Sequence, residues 1–214
     1  MIRFKLDKVL VIFAAIYAVL LLININNPHH VDESTHSFVG LFLRDFIIDF
    51  VKNPTLSFNK IYDYSLSYLA YYPKISLHYP PLPQFLFSIS YFIFGASIQA
   101  SRLVIVLLSL ALVFAIYYFA HLVFKNRLVA LASVLLLMTA PLVINMSILS
   151  MQELPFMFFF TLTMMWLYKI RSGKPEIKNF LILSILIVAT PLTKWQAITI
   201  FPVVLAYSFL FERK

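Results

Sequence analysis

Apolar runs of roughly the length that crosses a lipid bilayer recur through this chain, and its charges gather between them. A run of about 20 apolar residues matches a hydrocarbon core of about 30 Å when helical, because a helix satisfies its own backbone polar groups. The runs are Val9 to Ile25, Pro80 to Phe94, Leu103 to Phe124, Leu128 to Ile144, Leu154 to Tyr168, Phe180 to Leu192 and Trp195 to Phe211. With 62% hydrophobic and 12% charged residues, against about 25% charge in soluble domains, they predict an all-α polytopic membrane protein. The first run follows the basic start Met1-Ile-Arg-Phe-Lys-Leu-Asp-Lys8 and leaves through Asn24-Ile-Asn-Asn-Pro28. No small-residue cleavage site follows it, so it reads as an uncleaved anchor rather than a signal peptide. With no cysteine, disulfides, a thiolate nucleophile and a zinc-thiolate site are excluded. The net charge of +8 fits cytoplasmic loops and anionic lipid, not nucleic acid.

Lysine and arginine collect in cytoplasmic loops, which tests the topology. If Pro80 to Phe94 spans, Lys125-Asn-Arg127 and the Lys169 to Lys178 loop both fall outside. If that run only dips into the outer leaflet, the N-terminus, Lys125/Arg127, Lys169 to Lys178 and Arg213-Lys214 all become cytoplasmic. Eleven of the 17 basic residues are then inside, and Asp32, Glu33, Asp45, Asp49, Asp63 and Glu153 are outside. The second arrangement obeys the rule throughout. Tyr79-Pro-Pro-Leu-Pro83 supports it, since proline fits a helix only at its start. Leu82 to Phe94 is about 13 residues, roughly 20 Å of helix, and Gly95 ends it. The expectation is six spans, with an interfacial helix inside a large outer loop of about residues 27–100. Phe38 to Val51 is expected to add an amphipathic helix to that loop. The tyrosine-rich Ile61 to Tyr72 is expected at the headgroup level. The whole of 1–214 reads as one membrane-embedded module in the cell membrane. Its N-terminus is cytoplasmic and its site is on the outer face.

On this topology the outer surface collects Asp32 and Glu33 after the first span, His78 before the prolines, Arg102, Glu153 and Lys194. Charges at membrane depth are costly unless paired or functional. Each has a plainer reading. Asp32-Glu33 can be a solvated loop start. Arg102 can snorkel to headgroups, Glu153 can be an acid favoured by a helix N-terminus, and Lys194 can meet a lipid phosphate. His29 and His30 with Asp32 are a weak signal for a divalent metal. Together the charges suggest one interfacial cavity for acid–base chemistry on a lipid-carried substrate. A transporter or a non-catalytic accessory subunit is the competing class. Mid-span charges and paired repeats with broken helices would favour transport, and neither is visible.

Taken in order, several segments carry a resemblance. They are Asp32-Glu33, the proline turn, Ile93-Phe94-Gly95-Ala-Ser-Ile-Gln-Ala-Ser-Arg102-Leu103, Ala130-Leu-Ala-Ser133, Thr139-Ala-Pro141, Ser150-Met-Gln-Glu153-Leu154-Pro155 and Leu192-Thr-Lys194. The set resembles the GT-C superfamily of integral membrane glycosyltransferases. Its branch looks like the dolichyl-phosphate-mannose protein mannosyltransferases and the lipid A aminoarabinose transferases. The resemblance covers nearly the whole chain. It implies transfer of a sugar from a polyprenyl-phosphate donor to a hydroxyl of a protein, lipid or glycan acceptor, with inversion. Asp32 would be the catalytic base, Glu33 its partner and Glu153 the second acid, a position that is usually aspartate. Arg102 and Lys194 would face the donor phosphate, with His78 beside them, although Tyr79 separates His78 from the prolines. Family members are usually longer, so the chain is expected to be a minimal version or to lack a C-terminal part.

Overall fold

The computed structural model describes residues 7–28, 30–53, 62–64, 66–67, 70, 79–173 and 176–210, with side chains to 207. The described residues are helical, with no strand among them. Four of the described helices begin where the sequence supplies a side-chain partner for the first free N–H groups. Helix α1, Lys8–Ile23, starts behind Asp7, whose carboxylate accepts from Val9 N at 3.0 Å. Helix α2, Val31–Lys52, starts behind His30. Helix α3, Leu82–Phe94, has prolines on its first turn and ends at Gly95, which takes φ +80°. Helix α4, Ile98–Phe124, is capped by the Ser97 hydroxyl, and α5, Arg127–Thr139, by the Asn126 side chain.

The remaining elements are α6, Pro141–Met146; α7, Glu153–Ser172; α8, Ile177–Ala189; a 3-10 turn, Trp195–Thr199; and α9, Ile200–Leu210. Three departures from the expected elements have local causes. Helix α2 begins at Val31 rather than near Phe38, because His30 and Glu33 cap it, and Asp32 and Glu33 form its first turn. The run from Leu128 to Ile144 breaks at Ala140, which is extended (ψ 117°) as a residue before proline tends to be, and Pro141 opens a new helix. The last run opens as a 3-10 turn and becomes α-helical only at Ile200. Half of the positions from Ile61 to Tyr72 fall outside the described residues. Among those that are described, Tyr64 donates from its hydroxyl to Asp49 Oδ2 at 2.7 Å.

Among the described residues one helix, Ile98–Phe124 of 27 residues, is long and apolar enough to cross a membrane. Lys8–Ile23, Leu82–Phe94, Arg127–Thr139 and Ile177–Ala189 are apolar but shorter. Helix α4 is the axis of the packing. Leu10, Ala14, Tyr17 and Leu21 repeat on one face of α1 and bury against Val106, Val113 and Tyr117 of α4. The other face of α1 exposes Ile12, Ile16, Val19 and Ile23, an apolar surface of the kind that lipid covers. Phe87 and Tyr91 of α3 pack on Ala100 and Ile105 of α4 and on Leu154 of α7. Helices α2 and α3 approach closely at Gly40, where an added Cβ would lie 2.9 Å from Phe87 Cβ.

Candidate active site

The first turn of α2 divides its two carboxylates. Glu33 is fully buried, and so is Arg102 from the first turns of α4. Arg102 Nε and Nη2 donate to Glu33 Oε1 and Oε2, each at 2.7 Å. Nη1 donates to the carbonyls of Ile25 and Asn27, both at 2.7 Å, and Nη2 reaches Pro28 O at 3.4 Å. A guanidinium has five N–H groups, and these contacts engage them all. Glu33 is equally filled. Besides Arg102, Oε1 accepts from Ser150 N at 2.9 Å and Oε2 from His30 N at 3.4 Å. Burial pushes the Glu33 carboxyl up. Arg102 and the two amides outweigh that and hold it below the usual carboxylate range.

This pair ties three parts of the chain together: the exit of α1, the start of α2 and the loop into α7. A chain of hydroxyls extends it, from Ser150 Oγ to Ser101 Oγ at 2.7 Å and from Ser101 to Ser37 at 3.2 Å. Asp32 projects instead into the open, its side chain 59% exposed. Its backbone N donates to His30 Nδ1 at 3.3 Å, and its carboxylate lies 3.6 Å from the same nitrogen. An Nδ1 that accepts belongs to an imidazole carrying its proton on Nε2, so this contact is not an ion pair in that state.

Glu153 opens α7, three residues beyond the Ser150 amide that Glu33 holds. Its Oε1 accepts from Lys194 Nζ at 2.8 Å, and the two side chains are 35% and 24% exposed. Burial raises the Glu153 carboxyl, and the Lys194 ammonium brings it below the usual range. The proline turn brings Lys194 here. Leu82 N donates to Leu192 O at 3.0 Å, Gln152 Nε2 donates to Pro80 O at 3.3 Å, and Gln84 Nε2 meets His36 Nδ1 at 3.1 Å. A cavity of about 220 Å³ opens between α2, α3 and the start of α4, with Ser34, Ser37 and Ser97 beside Phe38, Leu41 and Ile98.

A model of the dolichyl-phosphate-mannose-protein mannosyltransferase family matches residues 78–214, more than half of the chain. The chain belongs to that family. It is therefore a glycosyltransferase of a membrane-integral family that uses lipid-linked sugar donors. No curated protein and no solved structure matches it. Of the residues singled out from the sequence, His78, Arg102, Glu153 and Lys194 lie inside the matched region, and Asp32 and Glu33 precede it. The matched region thus holds the Glu153–Lys194 pair and Arg102, while Asp32 and Glu33 of α2 lie before it.

The structure joins Glu33 with Arg102 and Glu153 with Lys194, and links the two pairs through the segment from Ser150 to Glu153. Asp32 stands beside the first pair. Arg102, expected at a donor phosphate, is spent on Glu33 and on backbone carbonyls. His78 and His29 lie outside the described residues, and among those that are described no group of three or more His, Asp or Glu could hold a metal ion. His36 and Gln84 carry no motif and were missed from sequence, and Ser150, which opens the segment before Glu153, was given no role there. Extending α2 back to His30 would have found His36, one turn after Asp32 on the same helix face.

Proposed function

We propose that this chain transfers a sugar from a polyprenyl-phosphate donor to an acceptor hydroxyl at the outer membrane face, with inversion at the anomeric carbon. The carrying observation is the contrast inside one helical turn: Glu33 is closed around Arg102 while its neighbour Asp32 is open. Asp32 is the general base. It takes the acceptor proton as the hydroxyl oxygen attacks C1 and the bond from C1 to the phosphate oxygen breaks. The departing phosphate gains charge, and Lys194, steadied by Glu153, meets it. Glu33 and Arg102 hold the platform on which both act. The cavity between α2 and α3 offers apolar walls to the first isoprene units of the donor. Six spans with a cytoplasmic N-terminus put this chemistry outside. The acceptor is a hydroxyl of a protein, lipid or glycan, as in the protein mannosyltransferase and lipid A aminoarabinose transferase branches.

The test is transfer from radiolabelled polyprenyl-phosphate sugars by purified protein. Asp32→Asn keeps the shape and removes the base, so donor still binds and turnover falls by about 10²–10⁴-fold. Transfer at the wild-type rate by that variant would assign the base elsewhere. Topology is checked separately by single-cysteine labelling, which is clean because the chain has no native cysteine. A cysteine at position 126 labelled from outside intact cells would overturn the six-span arrangement.

A further inference from the structure

One buried titratable side chain beside the pairs has no role in the chemistry above. His36 is 4% exposed and faces inward from α2, one turn beyond Asp32. Its ring packs edge-on against Tyr79, with centroids 4.6 Å apart. Tyr79 adjoins Pro80, which Gln152 holds, and Gln152 adjoins Glu153. A single short path through the proline turn therefore connects the imidazole to the Glu153–Lys194 pair. A positive charge on His36 lowers the Glu153 carboxyl further, after the larger effect of Lys194.

Gln84 is the second observation. It is fully buried, its Nε2 is 3.1 Å from His36 Nδ1, and its Oε1 has no hydrogen-bond partner among the described residues. An amide carries a donor on one side and an acceptor on the other. With His36 neutral and Nδ1 bare, Nε2 donates to it. With His36 protonated, Nδ1 becomes a donor, and the amide turned by half a revolution offers Oε1 in the same place. The side chain therefore suits both states of the ring, so neither leaves Nδ1 unpaired.

We propose that His36 is a positioning residue of the transfer site: turned to by either side of the Gln84 amide, it takes up and releases a proton and so sets the field at the Glu153–Lys194 pair. The inference rests on the transfer reading above. Near His36 are Asp32 and Glu33 earlier on its own helix, Tyr79 from the proline turn and Glu153 from α7, itself paired with Lys194 from the turn before the 3-10 element. Arg102 neutralises Glu33, so the open charges are Asp32, Glu153 and Lys194. A protonated His36 adds positive charge where the phosphate leaves, and turnover falls as pH rises through its titration.

The experiment has one arm that needs no donor. In the full chain in detergent micelles, the His36 ring is titrated by NMR and assigned with His36→Asn. Glu153→Gln removes the facing carboxylate and is expected to lower the His36 pKa by about one unit or more. An unchanged titration overturns the proposal whether or not the protein transfers sugar. In the activity arm, His36→Asn keeps the melting temperature and the donor KM, lowers kcat by about tenfold, a smaller loss than for a group touching the phosphate, and abolishes the alkaline limb. An alkaline limb that persists in His36→Asn overturns the proposal. Should that variant fail to fold, Gln84→Glu decides, since a carboxylate against the ring moves the titration and the alkaline limb upward together. Movement of neither overturns it. Wild-type protein that transfers no tested sugar removes the transfer reading, and with it this role for His36, even where the titration shows the coupling.

Discussion

Two carboxylate–cation pairs meet across the segment from Ser150 to Glu153, and they differ in what they leave open. In Glu33–Arg102 both side chains are fully buried, and every donor and acceptor position is occupied. In Glu153–Lys194 the contact is a single hydrogen bond of 2.8 Å between side chains that are a third and a quarter exposed. Charge is alike in the two pairs, so the difference is in geometry. Guanidinium is a rigid fork that suits a carboxylate edge and neighbouring carbonyls at once, whereas an ammonium is a compact charge on a flexible stem with three donors. The first pair is closed, and the second is the one that, on the transfer reading proposed above, answers a new anion. Position in the sequence does not separate these jobs.

The largest effect should come from opening the closed pair. Arg102→Met leaves a buried carboxylate without its partner, which costs about 3–5 kcal/mol. We expect a large fall in melting temperature in detergent, with transfer lost alongside it. The double variant Glu33→Leu/Arg102→Met removes both charges and should recover most of the stability. Were Arg102 chiefly a phosphate ligand, the single variant would melt normally and lose only donor binding. Acid should act on the same pair. The folded Glu33 carboxyl is held below its unfolded value of about 4.3. The stability it contributes is therefore complete above pH 4.3 and is lost as pH falls through the folded value. Melting curves between pH 7 and pH 3 test the sign, since wild type should lose stability toward acid and the double variant should lose less.

Lys194 sharpens the contrast from the open side. Lys194→Ala removes one partly exposed contact, so the melting temperature should barely move. Transfer should drop by about 10²–10³-fold if the ammonium meets the departing phosphate. A variant that folds normally and turns over normally would make the Glu153–Lys194 pair a mere surface contact.

How much of this was legible in the sequence differs between the same two regions. The helical class and the boundaries of Leu82–Phe94 followed from the apolar runs, the prolines and Gly95. The charged residues were found because isolated charges stand out in an apolar chain. Their pairing was not legible, since Glu33 and Arg102 are 69 positions apart and neither position encodes a partner. The start of α2 was placed too late because its cap is a histidine backed by Glu33, whereas the usual signals are serine, threonine, aspartate or asparagine. His36 was hidden by that error. The break at Ala140 was written in Pro141, but continuous hydropathy across Leu128 to Ile144 masked it.

The platform beneath both pairs depends on how closely α2 approaches α3. Gly40→Ala places a methyl 2.9 Å from Phe87 Cβ and 3.2 Å from Gln84 O, so a helix must shift. Overpacking of this kind costs about 1–3 kcal/mol. We expect a moderate loss of melting temperature together with weaker transfer, because Gln84 and His36 lie along the same contact. Loss of stability with full transfer per folded molecule would show that the site tolerates movement of α3.

The smallest effect belongs to a third pair at the opposite end of α4, and it separates burial from geometry. Asp7 accepts from Arg127 Nε at 2.6 Å and Nη2 at 3.0 Å, and from the Tyr117 hydroxyl at 2.7 Å. This fork is as regular as that of Glu33 and Arg102, yet Arg127 is 55% exposed. Arg127 and Tyr117 hold the Asp7 carboxyl well below the usual range against some desolvation, so its contribution is present above the unfolded value of about 3.9 and is lost only in stronger acid. Water and salt screen a half-open pair, and a buried one hardly at all. Asp7→Asn should therefore lower the melting temperature less than Arg102→Met or Gly40→Ala, and the difference from wild type should shrink as salt rises from about 0.05 to 1 M. The loss in Arg102→Met should stay constant over the same range. A large, salt-insensitive loss in Asp7→Asn would mean that bidentate geometry, rather than burial, sets the strength of these pairs.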